Sequence, residues 1–294
     1  MRKKVLLSSA MVVMGVSMVP ITAFAGTSYS HPDTAITNLP KVSVGSSNHQ
    51  TNYTHPGVVI RNAPRQPLPP SALGTPNSLG SVHNFGWSAS NWSGYAITGG
   101  PYNDITGEWT VPTVQKTTKS SYSSTWIGID GYNNSDLIQT GTEQDYVGGR
   151  AQYDAWWEIL PAAETVITNM AVYPGDHMSA AIHNNGNGTW KITLNDLTQN
   201  ETFSTTQSYS GPATSAEWIQ EAPEINGRIA TLAHYGETTM DPGTVNGANP
   251  GLTASDGGYM VQNNATVSVP SNPDSDTDGF NVAYGSAQPT PPQS

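Results

Sequence analysis

From Asn91 onward the chain is a succession of short segments in which apolar and polar residues alternate, each stopped by Gly, Asn, Asp or Pro. Asn91–Thr98, Ile105–Val111, Ser124–Ile129, Ala151–Ile159, Val166–Val172, Met178–His183, Trp190–Leu194, Glu217–Glu221, Ile229–His234 and Gly258–Val261 all follow this rule. A period of two sends successive side chains to opposite faces of an extended strand. Turn signals recur about every ten residues, as in β-sandwiches and barrels. No helical period persists between caps, and no repeat recurs at a fixed spacing. The pattern predicts one all-β domain of roughly two hundred residues, a size one sandwich can reach.

The ends read differently. Arg2, Lys3 and Lys4 precede an apolar stretch from Val5 to Val19, and Ala23-Phe24-Ala25 offers a small-x-small cleavage site. Residues 1–25 are therefore expected to be a signal peptide, too short and wrongly flanked for a membrane span. Residues 26–86 are rich in Ser, Asn, His and Pro, with a Pro-rich stretch from Ala63 to Pro70, and all eight tryptophans lie at or after Trp87. This leader carries Lys41, Arg61, Arg65 and four histidines against the single acid Asp33. It is read as a pro-segment and linker that docks electrostatically on the domain at 87–286, and 287–294 as a disordered tail. The product is expected to be extracellular.

Composition narrows the chemistry. The chain has 11 Lys and Arg against 22 Asp and Glu, for a net charge of −11, and no cysteine. Nucleic acid is excluded as a partner, since phosphate contacts need Lys and Arg. The lack of cysteine removes disulfides, thiol nucleophiles and thiolate metal sites. From Trp87 onward the only basic residues are Lys116, Lys119, Arg150, Lys191 and Arg228. Protonating the carboxylates thus leaves little positive charge to drive acid unfolding. There is no H-E-x-x-H, no G-x-S-x-G and no Asp-Ser/Thr-Gly motif. His177, His183 and His234 read as surface or structural residues. Asp274 to Gly279 begins like a calcium loop but has Gly285 where that loop needs Glu, so a solvated turn before the last strand is expected. No metal or cofactor is expected.

What remains is a set of carboxylates and amides embedded among large apolar residues, where burial is costly without a partner or a task. In Tyr153–Glu158, alternation puts Asp154, Trp156 and Glu158 on one face. In Ala216–Glu221 it puts Glu217, Ile219 and Glu221 together, with one glutamate expected to be solvated and the other deeper. Gln139 follows two aliphatic residues and precedes Thr140 and Gly141, so it is placed at a strand end or bend. These residue types alone leave three readings open: a peptidase, a β-sandwich glycoside hydrolase using paired carboxylates, and a non-catalytic carbohydrate-binding protein.

The order of the segments is more specific. Asn91-Trp92-Ser93-Gly94-Tyr95, Trp126-Ile127-Gly128-Ile129-Asp130-Gly131, Leu137-Ile138-Gln139-Thr140-Gly141, Tyr153 to Glu158 and Ala216 to Glu221 together resemble the eqolisins, the glutamic peptidases that use a Gln/Glu pair. The resemblance covers nearly the whole domain and marks a cysteine-free, bacterial-type member. It implies an antiparallel, lectin-like (concanavalin A type) β-sandwich of two large sheets with a catalytic cleft on the concave face. By position, it implies Gln139 as oxyanion stabiliser and Glu221 as the base and acid that activates water. It implies Trp92, Trp126, Asp130, Asp154, Trp156 and Glu158 as residues that line or support the cleft. The implied function is a secreted acid endopeptidase acting as a monomer on protein or peptide substrates. Its own pro-segment is then its other partner, and no membrane is involved once the signal is removed.

Overall fold

The computed structural model describes residues 59–60, 63–68 and 84–294. Residues 1–25, where a signal peptide is expected, and most of the leader, including Lys41, Arg61 and its histidines, lie outside the described residues. In chain order the strands are β1 (Val59–Ile60), β2 (Trp87–Ala89), β3 (Trp92–Thr98), β4 (Asp104–Thr110), β5 (Ser124–Ile129) and β6 (Ile138–Val147). They continue as β7 (Arg150–Ile159), β8 (Thr165–Val166), β9 (His177–Asn184), β10 (Thr189–Asp196), β11 (Glu201–Ser208) and β12 (Ser215–Glu221). The last are β13 (Glu224–Ile225), β14 (Arg228–Ile229), β15 (Glu237–Val245), β16 (Gly257–Gln262), β17 (Ala265–Pro270) and β18 (Phe280–Tyr284). Among the described residues the only helix is one 3-10 turn, Ala254–Asp256.

Fifteen strands form one continuous ladder, in the order β11-β10-β9-β4-β15-β18-β17-β16-β3-β12-β5-β6-β7-β8, with β2 alongside β16. Only the β2–β16 pairing is parallel among them. The ladder folds over on itself. Trp109 of β4 donates its indole N–H to Thr142 Oγ1 of β6 at 3.0 Å, and Trp218 of β12 donates to the Thr106 carbonyl of β4 at 2.8 Å. A Cβ on Gly107 of β4 would lie 2.7 Å from Ile127 of β5. These contacts make two packed layers, the all-β sandwich that the pattern predicts, with β16–β18 carrying the ladder from one layer to the other.

Strand alternation then decides what each face holds. The inner face of the β3-β12-β5-β6-β7 layer contributes Tyr95, Trp218, Ala216, Ile127, Ile129, Ile138 and Ala155 to the main core, against Ile105, Trp109, Met178 and Ile182 of the other layer. Polar residues on this inner face bond to one another: Thr125 Oγ1 donates to Gln220 Oε1 at 2.6 Å and Gln144 Nε2 to Thr125 Oγ1 at 2.9 Å, tying β12, β5 and β6 together. The outer face carries a second cluster of Trp92, Ala96, Trp126, Trp156 and Ile219, closed by Trp87, Ala89 and Leu137.

Several strands depart from the pattern. Of Val166–Val172 only the first residue is in a strand, in β8, and of Ile229–His234 only Ile229, in β14. β6 runs on through Thr142–Asp145 to Val147, so Gln139 stands at a strand end, as its second residue, and the strand continues past Gly141. Polar residues on both faces of β6 conceal it from apolar periodicity. β11 is a Ser/Thr-rich edge strand with one face in solvent, which hides it equally well. Residues 287–294 form no strand, and Asn281 Nδ2 donates to the Thr290 carbonyl at 2.9 Å. The turn at Asp274 precedes β18, but Asp274 is buried rather than solvated.

Gly141 lies where β6 passes beneath Trp126. An added Cβ would sit 2.3 Å from the Thr125 carbonyl oxygen and 2.5 Å from Trp126 Cβ. Both obstacles belong to the backbone or its first side-chain atom and have no room to move. Gly141→Ala is expected to destabilise the domain by about 1–3 kcal/mol, read as a lower urea midpoint at unchanged slope.

Candidate active site

The register across β12, β5, β6 and β7 arranges the outer face in rows. Glu217, Gly128, Gln139 and Glu158 form one row; Ile219, Trp126, Gly141 and Trp156 the next; Glu221, Ser124, Glu143 and Asp154 the third. Trp92 of β3 stands beside Glu221. All eight sequence-predicted residues except Asp130 therefore share this face. The glycines at the centre leave the space that the Trp126 indole occupies: a Cβ on Gly128 would meet its ring at 2.8 Å.

Glu221 is held by two donors. Trp126 Nε1 donates to its Oε2 at 2.8 Å and Asn91 Nδ2 to its Oε1 at 3.2 Å. Trp92 packs edge-to-face on Trp126, ring centroids 5.0 Å apart. Burial pushes the Glu221 carboxyl well above the usual range; the donors Trp126 and Asn91 and the nearby Trp92 oppose this, and the negative charge of Glu158 adds to it. Glu158 in turn accepts a hydrogen bond from Gln139 Nε2 at 2.8 Å. Register aligns Gln139 with Glu217, while the Glu158 charge beside Gln139 is felt at Glu221.

The expectation that Glu217 or Glu221 is solvated is overturned: both have 0 % exposure. Glu217 reaches no donor at hydrogen-bond geometry. Burial drives its carboxyl well above the usual range, the Asp130 charge adds to this, and the nearby Ser215 hydroxyl opposes it.

Asp130 sits apart from this face, at the end of β5 with φ 72°. Its carboxylate accepts from the Tyr209 hydroxyl at 2.6 Å, from the backbone N–H of Ala213 at 2.8 Å and of Thr214 at 2.9 Å, and from Asn134 Nδ2 at 3.0 Å. It anchors the segment leading into β12. Asp154 lies opposite Glu143, and Trp156 is buried against Gly141. Two residues were not singled out as site residues from sequence: Asn91, visible only as part of the Asn-Trp opening, and Glu143, hidden in the polar run of β6.

Residues 63–68 lie across the Glu221 end of this face. Asn91 Nδ2 donates to the carbonyls of Ala63 at 3.2 Å and Pro64 at 3.4 Å, and its Oδ1 accepts from the Gln66 N–H at 2.9 Å. The Arg65 N–H donates to the Gly131 carbonyl at 3.0 Å, and the Ser90 N–H to the Gln66 carbonyl at 3.1 Å. The Arg65 guanidinium lies 4.2 Å from the Tyr132 ring centroid and 5.7 Å from that of Trp87, and its Nε donates to the Tyr132 carbonyl. Arg65 thus docks on aromatic rings and carbonyls; among the described residues it pairs with no carboxylate, so electrostatic docking on acids does not describe it.

A β-sandwich with a buried glutamine and glutamates on its outer face defines the class of the molecule. The peptidase A4 family model matches residues 90–284, and the chain belongs to that family, the eqolisins. It is 28% identical to aspergillopepsin-2 of Aspergillus niger over 178 residues, covering 52% of this chain and 62% of the relative. It is 28% identical to scytalidopepsin B of Scytalidium lignicola over 137 residues, 45% and 51% of the two chains. The chain thus spans between half and two-thirds of the length of these relatives. The fold matches the crystal structure of scytalido-glutamic peptidase with a transition state analog inhibitor at a TM-score of 0.58, with 22% identity over 66% of this chain and 98% of that one.

Glu217 yields a pH prediction. Its native carboxyl ionises far above the roughly pH 4.3 of an unfolded glutamate. Below that pH both states are protonated and its contribution is complete. As pH rises the unfolded state ionises first and stability is lost. Glu217→Gln should therefore lose less stability than wild type between about pH 4.5 and 7, read by urea unfolding at several pH values.

Proposed function

We propose that the protein is a secreted, acid-acting endopeptidase in which Glu221 and Gln139 carry out the chemistry. The observation that carries this reading is the shared site on the outer face: a glutamate braced by Trp126 and Asn91, beside a glutamate that holds the Gln139 amide. Ionised Glu221 takes a proton from water as the water oxygen attacks the scissile carbonyl carbon. An amide nitrogen has two donors. Glu158 orients the Gln139 amide, which donates to the developing oxyanion in the transition state, a contribution worth roughly 3 kcal/mol. Glu221 then passes its proton to the leaving amine as the C–N bond breaks, which restores the carboxylate. One carboxyl serving as base and acid works best near its own pKa, in the acid range for a glutamate. Trp92 and Trp126 pack edge-to-face and are buried, which favours this reading over stacking on sugar rings.

Residues 63–68 fit the role of an inhibitory pro-segment. They run past Glu221 with backbone hydrogen bonds on both sides, as an extended substrate would, and occupy the Asn91 amide that also holds the carboxylate. Pro64 and Pro67 make the segment a poor target for cleavage. Its removal would rehydrate Glu221 and bring its carboxyl back toward the acid range.

The test is cleavage of denatured protein across about pH 2–7 by processed wild type and three variants. Acid-peaked activity should vanish in Glu221→Gln, fall by about a hundredfold or more in Gln139→Ala, and persist in Glu217→Gln. Activity surviving in Glu221→Gln and lost in Glu217→Gln would move the base to the glutamate in the Gln139 row. A synthetic peptide spanning residues 59–70 should inhibit the processed enzyme competitively; an inert peptide would remove the inhibitory role from this segment.

A further inference from the structure

Away from the catalytic face, Asp241 of β15 meets the turn between β17 and β18. One carboxylate oxygen from each of Asp241, Asp274 and Asp278 lies within 4.8 Å of the others. Two oxygens bound to one calcium ion at about 2.4 Å stand at most about 4.8 Å apart, so the three fit one coordination sphere. Asp274 is 6% exposed, and its two oxygens do different things. Oδ1 accepts the backbone N–H groups of Thr277 at 2.9 Å, Asp278 at 3.2 Å and Gly279 at 3.3 Å, which shapes the turn. Oδ2 is buried with no hydrogen-bond partner among the described residues, and so is Asp278 Oδ1. A buried carboxylate oxygen without a donor is costly unless something else meets it.

The backbone delivers Asp241 to this place. The β15–β4 register shifts between Met240 and Gly243, and such a bulge re-aims a side chain. The Gly243 N–H donates to the Asp278 carbonyl at 2.9 Å, fastening bulge to turn. The Asp241 carboxylate packs where a Cβ on Gly279 would lie 2.6 Å away, so only glycine admits it there. No basic side chain answers the three charges: among the described residues the ion pairs are His177–Glu108 and His183–Asp104. Burial, together with Asp274, Asp278, Asp276 and Glu108, pushes the Asp241 carboxyl up to about 6.

We propose that Asp241, Asp274 and Asp278 form a calcium site that staples the β15 bulge to the β17–β18 turn. Three protein carboxylates around one point suit calcium better than magnesium, which keeps most of its waters and takes one or two carboxylates. The ligand set is not that of a contiguous calcium loop, because the place of its distal glutamate is taken by Asp241 from a different strand. The site is independent of the catalytic reading.

The experiment uses the full chain, stripped with chelator and titrated with calcium chloride near pH 7 by calorimetry and thermal unfolding, against sodium chloride at equal ionic strength. One calcium per chain is expected, with a dissociation constant on the order of 10⁻⁵–10⁻³ M and an unfolding midpoint that rises with calcium but not with sodium. Asp241→Asn and Asp274→Asn should each weaken binding at least tenfold and abolish the rise. Asp274→Asn can also disturb the turn, whereas Asp241 makes none of the turn's hydrogen bonds, so Asp241→Asn is the deciding variant. Absence of binding heat and of a midpoint shift in wild type would overturn the proposal, as would unchanged calcium affinity in Asp241→Asn.

Discussion

The structure around the site depends on keeping one carboxyl, that of Glu221, out of water at the end of a strand that is paired on both sides. Burial penalises its charge, and only directed donors compensate. The Trp126 indole supplies one and the Asn91 amide the other. For Trp126 to reach across from β5, the strand next to it must carry no side chain at Gly141, and Gly128 must leave the ring its space. The small residues, the tryptophan pair and the register of β12 on β5 are thus consequences of a single electrostatic requirement. The inner-face ties from Gln220 through Thr125 to Gln144 hold the same three strands in that register from behind.

Asn91 gives this arrangement a second use. One side chain touches Glu221, two carbonyls of residues 63–64 and the Gln66 N–H. Whatever occupies the strip beside β2 therefore shares a hydrogen-bonding partner with the glutamate. A backbone laid there presents carbonyls to an amide already committed to the carboxylate. Occupancy of the strip and the bracing of Glu221 meet in one amide.

Much of this was legible from residue order. The face partition of Asp154, Trp156 and Glu158, and of Glu217, Ile219 and Glu221, follows from a period of two and holds in the structure. The absence of α-helices among the described residues follows from turn punctuation. Less visible were β6 beyond Gly141 and the edge strand β11, because their polar residues are satisfied by cross-strand partners rather than betrayed by apolar alternation. The expectation of one solvated glutamate failed for a related reason. Spacing along a strand says which face a residue takes, not how deeply neighbouring strands and a crossing segment bury that face.

The sequence by itself determined the β class, the strand faces and, through five ordered segments, the family, because these depend on local alternation and on residues close in the chain. Tertiary structure decided the rest. It set Gln139 in the row of Glu217 while letting the Glu158 charge act on Glu221, it turned Asp130 into an anchor of the loop before β12, and it carried Asp241 on a bulge to Asp274 and Asp278. Each of these rests on pairing register, sheet curvature or a bulge, and those are settled by contacts between residues tens of positions apart. No local pattern encodes such a distance.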